Sequence, residues 1–88
     1  MEYDKDKVDE CVLALMCLVF HDDGPITRAW KGFDWDTLDR LHAKGFISNP
    51  AGKAKSVVMT EEGERKAEEL FQKLFMGNPT GDSASANR

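Results

Sequence analysis

Apolar residues return at three- and four-residue spacings over residues 4–20, through Val8, Cys11, Val12, Leu15, Met16, Leu18 and Val19. That period predicts an amphipathic helix with a broad buried face, and its acid-rich start suits the positive end of the helix dipole. Asp22-Asp23-Gly24-Pro25 reads as the stop, since glycine ends helices readily and proline restricts the residue before it. Residues 26–33, Ile-Thr-Arg-Ala-Trp-Lys-Gly-Phe, have room for a short helix before Gly32 interrupts. Another helix is expected over residues 34–44, capped by Asp34, with Trp35, Leu38, Leu41 and His42 facing inward and Gly45 ending it.

The period then changes. Phe46-Ile47-Ser48 and Ser56-Val57-Val58-Met59 are short strand candidates around a spacer containing Asn49, Pro50 and Gly52, and they predict an antiparallel hairpin with a flexible tip. Thr60 is placed to cap a last helix whose first turn holds Glu61 and Glu62 and whose apolar stripe is Ala67, Leu70, Phe71, Leu74 and Phe75. Gly77-Asn78-Pro79 should end it, and the small polar residues 78–88 are expected to form a disordered tail. The sum is one α+β, winged-helix-like domain over residues 1–77: helix, short helix, helix, two-stranded wing, C-terminal helix.

Two sets of residues carry a resemblance. Lys44-Gly45-Phe46-Ile47 and Met59-Thr60-Glu61-Glu62-Gly63 resemble the junctions on either side of the wing in MarR-type regulators. The run from residue 1 to about 77, above all Arg28-Ala29-Trp30-Lys31-Gly32-Phe33-Asp34-Trp35-Asp36, looks like a family of small uncharacterised bacterial proteins, a domain of unknown function. The first resemblance implies that residues 34–44 are a recognition helix and that the first and last helices dimerise. The second brings no activity with it.

A chain of 88 residues has only a marginal core of its own. Apolar stripes as wide as those of the first and last helices therefore predict a homodimer built on Val8, Val12, Leu15, Val19, Leu70, Phe71, Leu74 and Phe75. No apolar run approaches the ~18 residues needed to cross a bilayer, and the charged start carries no export signal, so a cytoplasmic protein without membrane contact is expected. Cys11 and Cys17 diverge on one helix, too far for a disulfide, and are expected as buried, unreactive thiols.

Charge is unevenly spread. The net charge is −4, yet residues 26–59 hold Arg28, Lys31, Arg40, Lys44, Lys53 and Lys55 against only Asp34, Asp36 and Asp39. These six bases are the candidate nucleic-acid contacts. The three aspartates fall at the start of the recognition helix, where they repel phosphates, and the chain before it is short for a complete second helix. A non-catalytic regulatory or protein-interaction module is therefore preferred over a transcriptional regulator holding duplex DNA through residues 34–44 and the wing, whose binding would be weak. Trp30, Phe33 and Trp35 are read as anchors filling the space of a missing helix, with Trp35 in the core; the alternative is a recognition surface.

Enzymatic chemistry finds no constellation. His21, Asp22, Asp23 and His42 lack metal-ligand spacing, and Ser48 and Ser56 have no paired base nearby. No catalytic residue, metal or cofactor is expected.

Overall fold

Three helices and a three-stranded antiparallel sheet make up residues 1–76, the part that the computed structural model describes. The predicted helix stop at Gly77 and the predicted tail lie outside the described residues. Helix α1 spans Lys5–Met16 and is capped by Asp4, whose carboxylate accepts from the Lys7 amide at 3.1 Å. A 3-10 turn, Cys17–Val19, follows, and the chain enters strand β1, Phe20–Asp23. Strand β2 is Ile26–Trp30, α2 is Trp35–Ala43, β3 is Ser56–Met59 and α3 is Glu61–Phe75. The architecture is α+β.

The short helix expected over 26–33 is a strand, and the first helix stops short of its predicted end. One turn explains both corrections. Gly24 sits at φ 64° in the first central position of a two-residue loop, with Pro25 in the second, a geometry that favours tight hairpins. The loop folds Phe20–Asp23 onto Ile26–Ala29, pairing Phe20 with Ala29, and so takes Phe20 out of the helix.

In the sheet β2 lies between β1 and β3, with Thr27 opposite Met59 and Ala29 opposite Val57. The expected pairing of residues 46–48 with 56–59 is reduced to one bridge, Ile47 to Met59, plus a bond from the Ser48 amide to the Val58 carbonyl at 2.9 Å. β3 is thus covered on both sides. Among the described residues β1 keeps a free outer edge, four residues long and ending in the exposed Asp22 and Asp23.

The core joins Leu13 and Met16 of α1 to Leu38 and Leu41 of α2, to Ile47, Val57 and Met59, and to Leu70 of α3. Each such side chain contributes about 1.5–3 kcal/mol by leaving water. On α1 the inward face runs through Asp9, Leu13, Ala14 and Met16, of which only Met16 belongs to the predicted stripe. Val8, Val12 and Val19 are half-buried at its margins, while Leu15, Leu18 and Cys11 are exposed. On α2 the buried residues are Thr37, Leu38 and Leu41; Trp35 and His42 face out, correcting the predicted stripe.

The stretches around Gly45 and Thr60 meet in space. Gly45, at φ 84°, ends α2 with its amide on the His42 carbonyl and the Phe46 amide on that of Leu41. The Thr60 amide donates to the Phe46 carbonyl at 3.1 Å, and its hydroxyl donates to the Gly45 carbonyl at 2.7 Å while accepting from the Gly63 amide as the α3 cap. Gly63 is seated so closely that a Cβ there would lie 1.9 Å from the Phe46 carbonyl oxygen. Only glycine fits.

Candidate binding groove

The six bases predicted to share one surface divide into two groups with different company. Arg40 and Lys44 turn from the exposed face of α2 toward α1. The Arg40 Nε donates to both oxygens of Asp9 at 2.8 and 3.0 Å, and the Lys44 Nζ donates to Asp9 at 2.8 Å and to Asp6 at 3.2 Å. Asp9 is 1% exposed, and a carboxylate that far from water needs such partners. Its hydrogen bonds hold both cations above their ordinary pKa values, outweighing the opposing effect of burial. Thr37 extends the network, accepting from Arg40 Nη2 and donating to Asp34. Arg28 is held too, by the Ser56 hydroxyl at 2.7 Å and by Asp23 at 3.9 Å.

Lys31, Lys53 and Lys55 meet elsewhere. Together with Trp30 and Trp35 they line a groove of about 470 Å³ completed by Gly32, Gly52 and Ala54, and among the described residues no acidic one lines it. Lys31 builds it. Its amide donates to the Lys55 carbonyl at 3.1 Å, and its ammonium donates to the carbonyls of Pro50 at 2.6 Å and Gly52 at 3.2 Å. Asn49 accepts from the Ala51 amide and Pro50 is fully buried. The expected flexible tip is therefore a pinned loop.

Two aromatic planes frame this loop. Trp30 is 51% exposed and Trp35 58%, so neither is the core anchor predicted, whereas Phe33 packs partly against the core. Trp30 stacks on His21 with centroids 4.5 Å apart, and the Lys31 ammonium lies 5.7 Å from the Trp35 ring centroid. Each indole is thus braced by a neighbour while about half of its surface remains open. Cβ atoms built on Gly32 and Gly52 would meet nothing within 4 Å, which leaves the space over them unobstructed.

The profile of the domain of unknown function DUF6429 matches residues 4–77. The chain belongs to the DUF6429 family. It is 55% identical over 75 residues to the uncharacterised protein y4hR of Sinorhizobium fredii (strain NBRC 101917 / NGR234), a match covering 85% of this chain and 97% of that one. No solved structure matches.

In this DUF6429 protein the other predicted site residues are dispersed. Leu70 is buried in the chain's own core and Phe71 packs partly against it, while Leu74 and Phe75 are exposed on the last turns of α3 and Leu15 on α1. Cys11 is exposed, contrary to the prediction, because it lies off the Asp9–Leu13–Met16 face; Cys17 is half-buried, and its thiol is pushed up by burial and then by Glu68 and Glu64. His21 and His42 each direct Nδ1 at a backbone carbonyl, of Val19 and Ile47. A second cleft, of about 310 Å³ between α1, α2 and α3, has Asp9 and Lys44 on its wall, already paired with each other. No described helix is long and apolar enough to cross a membrane.

Proposed function

We propose that this DUF6429 protein is a non-catalytic, winged-helix-like interaction module whose working surface is the groove between Trp30, Trp35 and the Lys53–Lys55 loop. The observation that carries this is the pair of half-open tryptophans in one lysine-lined concavity, since large aromatics left in water beside a charged rim mark binding hot spots. The non-catalytic part is supported by how the hydroxyls and imidazoles are used. Ser48 accepts from the Val58 amide, Ser56 accepts from Arg28, Thr60 caps α3, and both histidines bond to carbonyls. The winged-helix-like part is supported by α2 leading through Ile47 and a loop into β3 and α3. A hairpin stands where that fold usually has a second helix.

Titration of the ¹⁵N-labelled protein with benzoate and phenyl phosphate tests the surface. Both indole N–H signals and the amides of residues 30–35 and 52–55 should shift together. Shifts confined to the Asp6–Lys44 cleft, or none, would remove the groove from consideration.

A second reading, a regulator gripping duplex DNA with residues 34–44 and the wing, draws support from Lys53 and Lys55; Arg40 and Lys44 are already engaged by Asp9. Homodimerisation through the first and last helices draws support from the exposed Leu15, Leu74 and Phe75. Sedimentation equilibrium at tens of micromolar decides it, and a monomer there would exclude the dimer.

A further inference from the structure

We infer that the groove takes single-stranded nucleic acid, bases stacking on Trp30 and Trp35 and phosphates lying along Lys53 and Lys55. This rests on the groove being the working surface and adds what fills it. Three observations converge. The indoles are braced, Trp30 by His21 and Trp35 by the Lys31 ammonium, so each is a held platform with a free surface for another planar group. Base-on-indole stacking tolerates any sequence because every base has a π-face. The bases in a duplex are already stacked on each other and offer no such face.

Charge supplies the second argument. The protein is acidic overall, yet among the described residues the groove walls carry three lysines and no acid. Lys31 spends its donors on the Pro50 and Gly52 carbonyls, whereas Lys53 and Lys55 are exposed and make no salt bridge among the described residues. The acids that flank Trp35 in sequence are Asp34, one of whose oxygens accepts from the amide and hydroxyl of Thr37, and the exposed Asp36. The glycines supply the third. Gly32 and Gly52, both lining the groove, leave open space over their backbones where a sugar-phosphate chain can approach. An acidic peptide would satisfy the lysines but would leave both indole faces without planar partners.

The chain holds two tryptophans, and both line this groove, so fluorescence excited beyond the absorption of Tyr3 reports on it alone. The full chain is titrated with dT8, with a DNA hairpin duplex of the same length in base pairs, and with an octaglutamate peptide. Expected are quenching by dT8, little by the duplex, and a log–log salt slope near −1.4, from about −0.7 for each of two phosphates. Lys53→Ala with Lys55→Ala should flatten the slope to near zero. Trp35→Ala should weaken binding roughly tenfold or more while Trp35→Phe retains most of it, each fold being checked by circular dichroism.

Equal or tighter binding of the duplex would overturn stacking as the basis. Octaglutamate binding without dT8 binding overturns the nucleic-acid assignment and leaves the groove standing. If dT8 fails while phenyl phosphate still shifts both indole signals, the ligand class falls and the surface survives; if neither binds, both fall.

Discussion

Lys44 and Lys53 are nine positions apart, both exposed by residue and both drawn from the one basic segment of an acidic chain, yet they sit in opposite environments. Lys44 is tied to Asp9 and Asp6 on the closed side of the molecule, where α1, α2 and α3 meet. Lys53 stands on the open side, beside two indoles and over glycines with empty space above them. Positive charge in sequence is therefore not the same as positive potential at a surface. A cation answering a buried carboxylate is part of the fold, and only the remainder is available to a ligand.

Adding one methyl group on each side should separate the two environments most strongly. Gly63→Ala drives a Cβ into the Phe46 backbone, which cannot swing aside as a side chain would. The expected loss is about 3 kcal/mol in urea unfolding, despite alanine's better helix propensity. Gly32→Ala meets open space and should change stability by less than about 0.5 kcal/mol. Similar losses for the two would mean that the closed side is not closed.

Next in size is Asp9→Ala. It strands two cations that are themselves partly in water, and about 2 kcal/mol should be lost. On the open side, Lys53→Ala and Lys55→Ala should each stay within about 0.5 kcal/mol. Cysteine labelling compares the two faces of α1 in the same spirit. Cys11 should react at least about tenfold faster than Cys17 with a neutral thiol reagent at pH 8, since Cys17 is shielded and its thiolate disfavoured.

The smallest effect is electrostatic. Lys44 has a folded pKa raised above its ordinary 10.5, principally by the hydrogen bond to Asp9. Its contribution to stability is therefore complete below that ordinary value and is lost as pH climbs through the raised one. The alkaline limb of the stability profile should flatten in Lys44→Met and stay unchanged in Lys53→Met. A parallel response of the two variants would dissolve the distinction between them.

How far the sequence carried these features depended on whether their causes were local. The α3 start was legible because Thr60 and Gly63 are three residues apart and the cap needs nothing else; the ends of α2 were legible through Asp34 and Gly45 for the same reason. The first hairpin was lost where two signals coincided. The helical period of α1 runs on through Leu18 and Val19, and Gly24-Pro25 serves equally as a helix stop or as a two-residue strand turn. The β-branched Ile26-Thr27 after that turn was the available clue.

Trp35 was misplaced because it is the first helical residue, where a side chain leans back over the preceding turn instead of toward the core. Asp9 was hidden by distance, since its partners lie 31 and 35 residues away and an acid near a helix start reads as solvated. The groove is likewise composite. Residues 30–35 supply its rings and Lys31, residues 52–55 supply Lys53 and Lys55, and the Lys31 bonds to Pro50 and Gly52 bring the two segments together.

The unequal edges of the sheet bear on how copies of this chain can meet. A strand edge with unpaired amides invites a neighbouring chain to extend the sheet, and proteins blunt such edges with short strands and charge. Here one edge is already occupied by Ile47 and Ser48, and the other offers four residues of which two are exposed aspartates, closed by a Gly-Pro turn. Two copies brought edge to edge would set those carboxylates against each other. Fibril-like stacking is disfavoured by the same arrangement, so concentrated solutions should stay clear of cross-β material even if the helices associate.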